Sequence, residues 1–199
     1  LARGPRVRLS AEMVRDQALF VSGLLSPKML GPSVRPVQPN LGVNAAFGGS
    51  IDWSPSTGED RYRRSLYLFR KRSMPDPMLS AFDAPNGDFA CARRVRSNTP
   101  LAALTSLNEP VFVEAAQALA LRIWREGGAS DESRADYAYR LCTSRGARPA
   151  EVAAIRRLLE EKRARLRSGE LLENRDTRTR FLDHLADATQ LTLDSLQPR

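Results

Sequence analysis

From Thr99 onward the chain is cut into helix-length pieces by residues that start helices and residues that stop them. Thr99-Pro100 joins a capping hydroxyl to a proline at the first helical position, where a missing N–H costs nothing. Asn108-Glu109-Pro110 repeats the start, and Gly127-Gly128 ends that piece. A further helix is expected from Ser130 to Arg145, closed by Gly146, and another from Pro149 to Arg167, closed by Gly169. A last one is expected from about Asp176 to Leu193. In the Pro149 segment Val152, Ile155, Leu159 and Leu166 recur at helical spacing and are the expected buried stripe.

The N-terminal third is less regular. Ser10 is the expected N-cap of a helix over Ala11–Leu25, with Val14, Ala18, Val21 and Leu25 on one stripe and Pro27 and Gly31-Pro32 ending it. Gly31 to Gly58 is rich in proline and glycine, carries Phe47 and Trp53, and reads as one ordered loop. A stretch this long without regular structure is uncommon inside a domain and is often functional. From Asp60 to Arg72 a helix is expected, its Tyr62, Leu66 and Phe69 facing the core, until Pro75 and Pro77 break it. The expected fold is therefore mainly α, an irregular helical domain with a long Gly/Pro-rich ordered loop in its N-terminal third. A length of 199 residues suits one domain or one and a half.

Charge narrows the partners. The net charge is +8, and residues 1–98 hold most of it, with 15 Lys and Arg against 8 Asp and Glu. Only Lys28, Lys71 and Lys162 among the 31 cations are lysines. A guanidinium is a planar fork suited to carboxylates and phosphates. Polyanion or nucleic-acid binding through this arginine-rich half is one reading. It is disfavoured, because the aromatics of the 61–72 segment are expected to face the core and the arginines to serve internal pairs. No run approaches the roughly 18 apolar residues of a membrane-spanning helix. The chain opens on Leu1 and is expected to be a piece of a longer protein.

Metals and cofactors find little purchase. His184 is the only histidine, and Cys91 and Cys142 lie far apart in sequence, so no usual zinc set and no Cys-x-x-Cys-His haem site is expected. A Ser-His-Asp machine would have to use His184, on an expected amphipathic helix. Asp52, Glu59 and Asp60 match no calcium loop. Cys91 and Cys142 admit three readings: two free thiols, a disulfide if the protein is exported, or a reactive thiolate at Cys91 beside Arg93 and Arg94. Trp53, Asp83, Arg93 and Arg94 are the candidate ligand-binding residues. Their convergence, with Asp52, in one pocket would mark a hydrolytic or saccharide-binding site on the 31–60 loop. Arg63, Arg64 and Asn98 are candidates for a structural polar network, and Arg93 and Arg94 are expected to be buried against helix ends and carboxylates.

Several motifs stand in a distinctive order. Arg8-Leu9-Ser10-Ala11-Glu12-Met13-Val14-Arg15-Asp16 precedes Val21-Ser22-Gly23-Leu24-Leu25 and Gly31-Pro32-Ser33-Val34-Arg35-Pro36. Arg63-Arg64-Ser65-Leu66-Tyr67, Phe82-Asp83-Ala84-Pro85, Cys91, Asn98-Thr99-Pro100-Leu101 and Leu107-Asn108-Glu109-Pro110 follow. This ordered set resembles the C-terminal domain of unknown function of planctomycete cytochrome-c-associated proteins, from about Arg8 to Glu160. The resemblance implies a partial domain over 1–170 and a divergent C-terminal helix and tail over 171–199. It further implies a structural or docking module of a large, exported, extracytoplasmic bacterial protein. Its partners would be upstream domains of the same polypeptide or a cell-surface polymer or protein. Any haem would belong to an upstream cytochrome-c-like domain.

Overall fold

The computed structural model describes residues 7–37, 54–72 and 75–168, and among them the fold is carried by six α-helices and no strand. The expected Asp176–Leu193 helix, His184, Asp52, Trp53 and most of the 31–58 loop lie outside the described residues. By internal contacts the chain divides into residues 1–116 and residues 117–199.

The first unit begins with α1, Ala11–Ser22. Ser10 holds the N-cap position with extended backbone but does not cap through its side chain. The helix ends at Gly23, short of the expected Leu25, because Gly23 enters the left-handed region at φ 83° and turns its N–H back onto the last carbonyls. Its buried positions are Ala11, Arg15, Leu19 and Ser22, spaced by about one turn. The expected stripe of Val14, Ala18, Val21 and Leu25 is only half-buried. An arginine thus occupies the middle of the buried face, where periodicity calls for an apolar residue.

The expected Asp60–Arg72 helix is replaced by two short 3-10 turns, Gly58–Tyr62 and Ser65–Tyr67. Arg63 between them is extended. The reason lies on α1: the Arg15 guanidinium takes the carbonyls of Arg61 and Arg63, which a helix would have used for its own ladder. Of the expected inward face only Tyr62 is buried, while Leu66 is 72% and Phe69 41% exposed. The chain then forms an isolated parallel bridge between Leu68 and Val34.

Pro77, expected only to break a helix, starts one instead. Asp76 caps α2, Pro77–Ala81, by accepting the Leu79 N–H at 2.9 Å, with proline at the first helical turn. Helix α3, Pro100–Asn108, starts as its sequence predicts, with Thr99 accepting the Ala102 N–H. Helix α4 runs Pro110–Glu126. The core of this unit is Ala11, Val34, Leu68, Met78 and Leu79, with Tyr67, Phe82, Ala84 and Phe112 packed around it. Phe82 and Phe112 meet edge to face at 5.9 Å.

In the second unit α5, Asp131–Thr143, is capped by Ser130, and α6, Pro149–Arg167, begins and ends where its sequence predicts. Helix α5 stops at Ser144 in the left-handed conformation, φ 57°, two residues before the expected Gly146. Asp131 receives both arms of Arg163 at 2.7 and 3.1 Å, joining α5 to α6. The expected buried stripe of α6 is not buried. Val152, Ile155 and Leu159 are half-covered and Leu166 is exposed.

Candidate functional site

Two arginines dominate the polar interior of the first unit. Arg15 donates to the Arg63 carbonyl at 2.8 Å, to Ser65 Oγ at 3.2 Å and to the Arg61 carbonyl at 3.0 Å. The neighbouring Asp16 carboxylate lies 3.8 Å away and also accepts the Ser65 N–H at 2.7 Å. Burial presses Arg15 below the usual guanidinium range, opposed by the charges of Asp16, Asp76 and Glu114. Arg63 is the second. It stacks 3.9 Å from the centre of the Tyr67 ring and donates to the carbonyls of Pro32 and Leu30. Tyr67 Oη accepts the Leu30 N–H at 2.8 Å, so ring and guanidinium together hold the 30–32 turn.

Below Arg15 opens a small cleft lined by Arg15, Arg61, Asp76, Glu109 and Glu114 among apolar neighbours that include Tyr62 and Met78. It has room for about one water molecule. Helix caps position the acids: Asp76 caps α2, and Glu109 stands at the junction where α3 gives way to α4. Burial raises both carboxyls above the ordinary range, and for Glu109 the charge of Asp76 adds to the effect. Glu114 is ion-paired to Arg61. The cleft therefore offers carboxyls that keep their protons to higher pH than exposed ones, beside a buried cation. Paired environments of this kind are where acid and base roles are found. Among the described residues no group of His, Cys, Asp and Glu is arranged to hold a metal ion.

The family model PSD1, described as Protein of unknown function (DUF1553), matches residues 1–159. The chain belongs to this family. The match spans α1 to α5, the buried arginines, the cleft and most of α6. No curated protein and no solved structure matches the chain.

Within this DUF1553 chain the residues singled out from sequence go to separate places. Asp83 sits in the left-handed region, φ 63°, which aspartate tolerates, and accepts both the N–H and the hydroxyl of Ser97 at 2.7 and 2.8 Å. Those bonds hold its carboxyl below the usual range. Arg93 and Arg94 are exposed, which corrects the expectation that they are buried. Arg94 reaches Glu12 at 2.8 Å, and Arg70 takes the other oxygen of that carboxylate at 2.6 Å. Burial would raise Glu12, but the bond from Arg94 and others outweigh it and leave Glu12 below its ordinary range. Of the expected polar network, Arg63 is buried, Arg64 lies 3.9 Å from Asp16 with half its side chain in solvent, and Asn98 is exposed. Cys91 and Cys142 are both exposed free cysteines, one in each unit. Burial of part of its side chain raises the Cys142 thiol. Trp53 lies outside the described residues.

The DUF1553 cleft escaped the sequence reading. Asp76 stands between two prolines and Glu109 before a third, so both were legible as helix punctuation and not as acids meeting in space. Arg15 escaped because a charge inside a helical repeat ordinarily marks the solvent face.

Proposed function

We propose that the chain is a structural and docking module of a larger exported bacterial protein, whose polypeptide carries a cytochrome-c-like domain upstream. The observation that carries this reading is the use made of its arginines. Arg15 and Arg63, fully desolvated, are spent on backbone carbonyls, and Arg70 and Arg94 are spent on Glu12. Such bonds fix a surface; they do not free a group for chemistry. The ordered motifs from Arg8 to Pro110 support the exported, cytochrome-associated context. Cross-linking with mass spectrometry on the full natural polypeptide tests it. Cross-links joining residues 1–168 to other domains are expected. Absence of any such link in the intact protein removes the docking role.

A second reading, a hydrolytic or saccharide-handling site served by the 31–60 loop, is favoured by one observation. Pro36 and Val37 of that loop line the cleft that holds Asp76 and Glu109. Turnover of a soluble polysaccharide or ester substrate by the isolated chain, abolished by Glu109→Gln with the fold retained, would replace the docking reading with this one.

A further inference from the structure

The outer face of α3 reverses the usual order of an amphipathic helix. Leu101, Leu104 and Leu107 are 60%, 58% and 76% exposed, while the opposite face buries Ala102. At 100° per residue the three leucines fall within one arc of about 120°. Single exposed leucines are ordinary, but three aligned on a nine-residue helix form a face that no layer covers among the described residues. Phe89 and Val95, on the chain that leads into this helix, are 86% and 74% exposed.

The same stretch has a definite charge. From Phe89 to Asn108 the sequence holds Arg93, Arg94 and Arg96 and no acidic residue. Arg94 is paired with Glu12, a carboxylate it shares with Arg70. Arg93 and Arg96 are exposed and make no ion pair among the described residues. Arg96 is five residues from Leu101, within about 18 Å even for an extended chain. An apolar stripe preceded in the chain by two exposed guanidiniums without an ion pair among the described residues selects an occupant that brings apolar anchors and carboxylates. Arginine is also the cation that protein interfaces favour and lysine the one they exclude. A lipid surface fits less well, since a nine-residue helix is about 13 Å long and anchors through three side chains only.

Resting on the docking reading above, we infer that the Leu101–Leu104–Leu107 face of α3, with Arg93 and Arg96, docks an acidic amphipathic helix of a partner protein. The partner presents leucine-type anchors at i, i+3 and i+7, the mode by which helices are read in apolar grooves. Its flanking Glu or Asp side chains meet the two arginines as planar, charge-assisted pairs.

The test uses the 199-residue chain and two labelled synthetic 18-residue helices of one leucine pattern, flanked by glutamates in one and by lysines in the other. Fluorescence anisotropy at low salt is expected to show the glutamate helix binding roughly tenfold or more tightly than the lysine helix, a gap that narrows as salt screens the charges. Leu104→Asp and Leu107→Asp are expected to lose binding of both. Arg93→Gln with Arg96→Gln is expected to abolish the preference between them. Circular dichroism checks that these exposed substitutions keep the fold. Equal binding of the two helices overturns the acidic partner and leaves a docking module standing. Binding only to phosphatidylglycerol vesicles, or a dimer of the chain itself that Leu104→Asp dissolves, overturns it in favour of a lipid or a second copy. Failure of both helices to bind also overturns it, whereas failure of the docking reading shows separately as missing cross-links in the full polypeptide.

Discussion

A single guanidinium decides the path of the chain at residues 61 to 65. Arg15 ends in a fork that satisfies two carbonyls and a hydroxyl, all away from water. A hydrophobic residue of equal length would fill the space and leave those carbonyls without donors. Removing one partner of a buried bond costs more than the bond itself contributes, because the orphaned group has lost water and gained nothing. Arg15→Met is therefore expected to lower stability by about 2–4 kcal/mol, measured by urea unfolding. Arg63→Lys tests the second fork. Lysine keeps the charge but loses the planar stack on Tyr67 and one of the two carbonyl bonds, and about 1–2 kcal/mol of destabilisation is expected. A neutral outcome for either would mean that water enters and replaces the guanidinium.

At the scale of the element, the helices punctuated by proline and a capping hydroxyl were legible almost to the residue. Pro100 and Pro149 start helices where expected, because proline at the first turn acts locally, helped by the Thr99 hydroxyl before Pro100 and by the Glu151 carboxylate that takes the Arg148 N–H before Pro149. The 58–72 segment was not legible, since its Tyr62, Leu66 and Phe69 spacing fits a helix and only a side chain some 50 residues earlier in sequence forbids one. The cleft was illegible for a related reason: Asp76 and Glu109 meet only through tertiary packing. The turn between α4 and α5 gives the sharpest test at this scale. A Cβ on Gly127 would stand 2.5 Å from the Ile123 carbonyl oxygen and 3.0 Å from the Arg134 Cα, both backbone atoms that cannot swing aside. Gly127→Ala is expected to cost about 1–3 kcal/mol, although alanine favours helix elsewhere. An unchanged melting temperature would show that the helix end yields without strain.

For the molecule as a whole, the acids pull the pH dependence in two directions. Asp76 and Glu109 bind protons more readily in the fold than in the unfolded chain. Their charge weakens the fold at neutral pH, and stability rises as pH falls through their raised pKa toward ordinary carboxylate values. Glu151 is the reverse case. The guanidinium of Arg145 and the Arg148 N–H draw its pKa from 4.5 down to about 2, so the stability it adds is complete above about 4.5 and lost as pH falls toward 2. Amide hydrogen exchange, corrected for the intrinsic effect of pH, separates the two because it reads each helix by itself. Glu109→Gln is expected to strengthen protection of α1 to α3 at pH 7 and to flatten its rise between pH 7 and 4.5. Glu151→Gln is expected to weaken protection in α6 at pH 7 and to flatten its loss below pH 4.5. Helix α6, which buries no residue, should open at lower free energy than α1, which buries four. If Glu109→Gln instead steepened the profile above pH 4.5, the Glu109 carboxyl would be stabilised as an anion, and the cleft would be a site already matched to a cation.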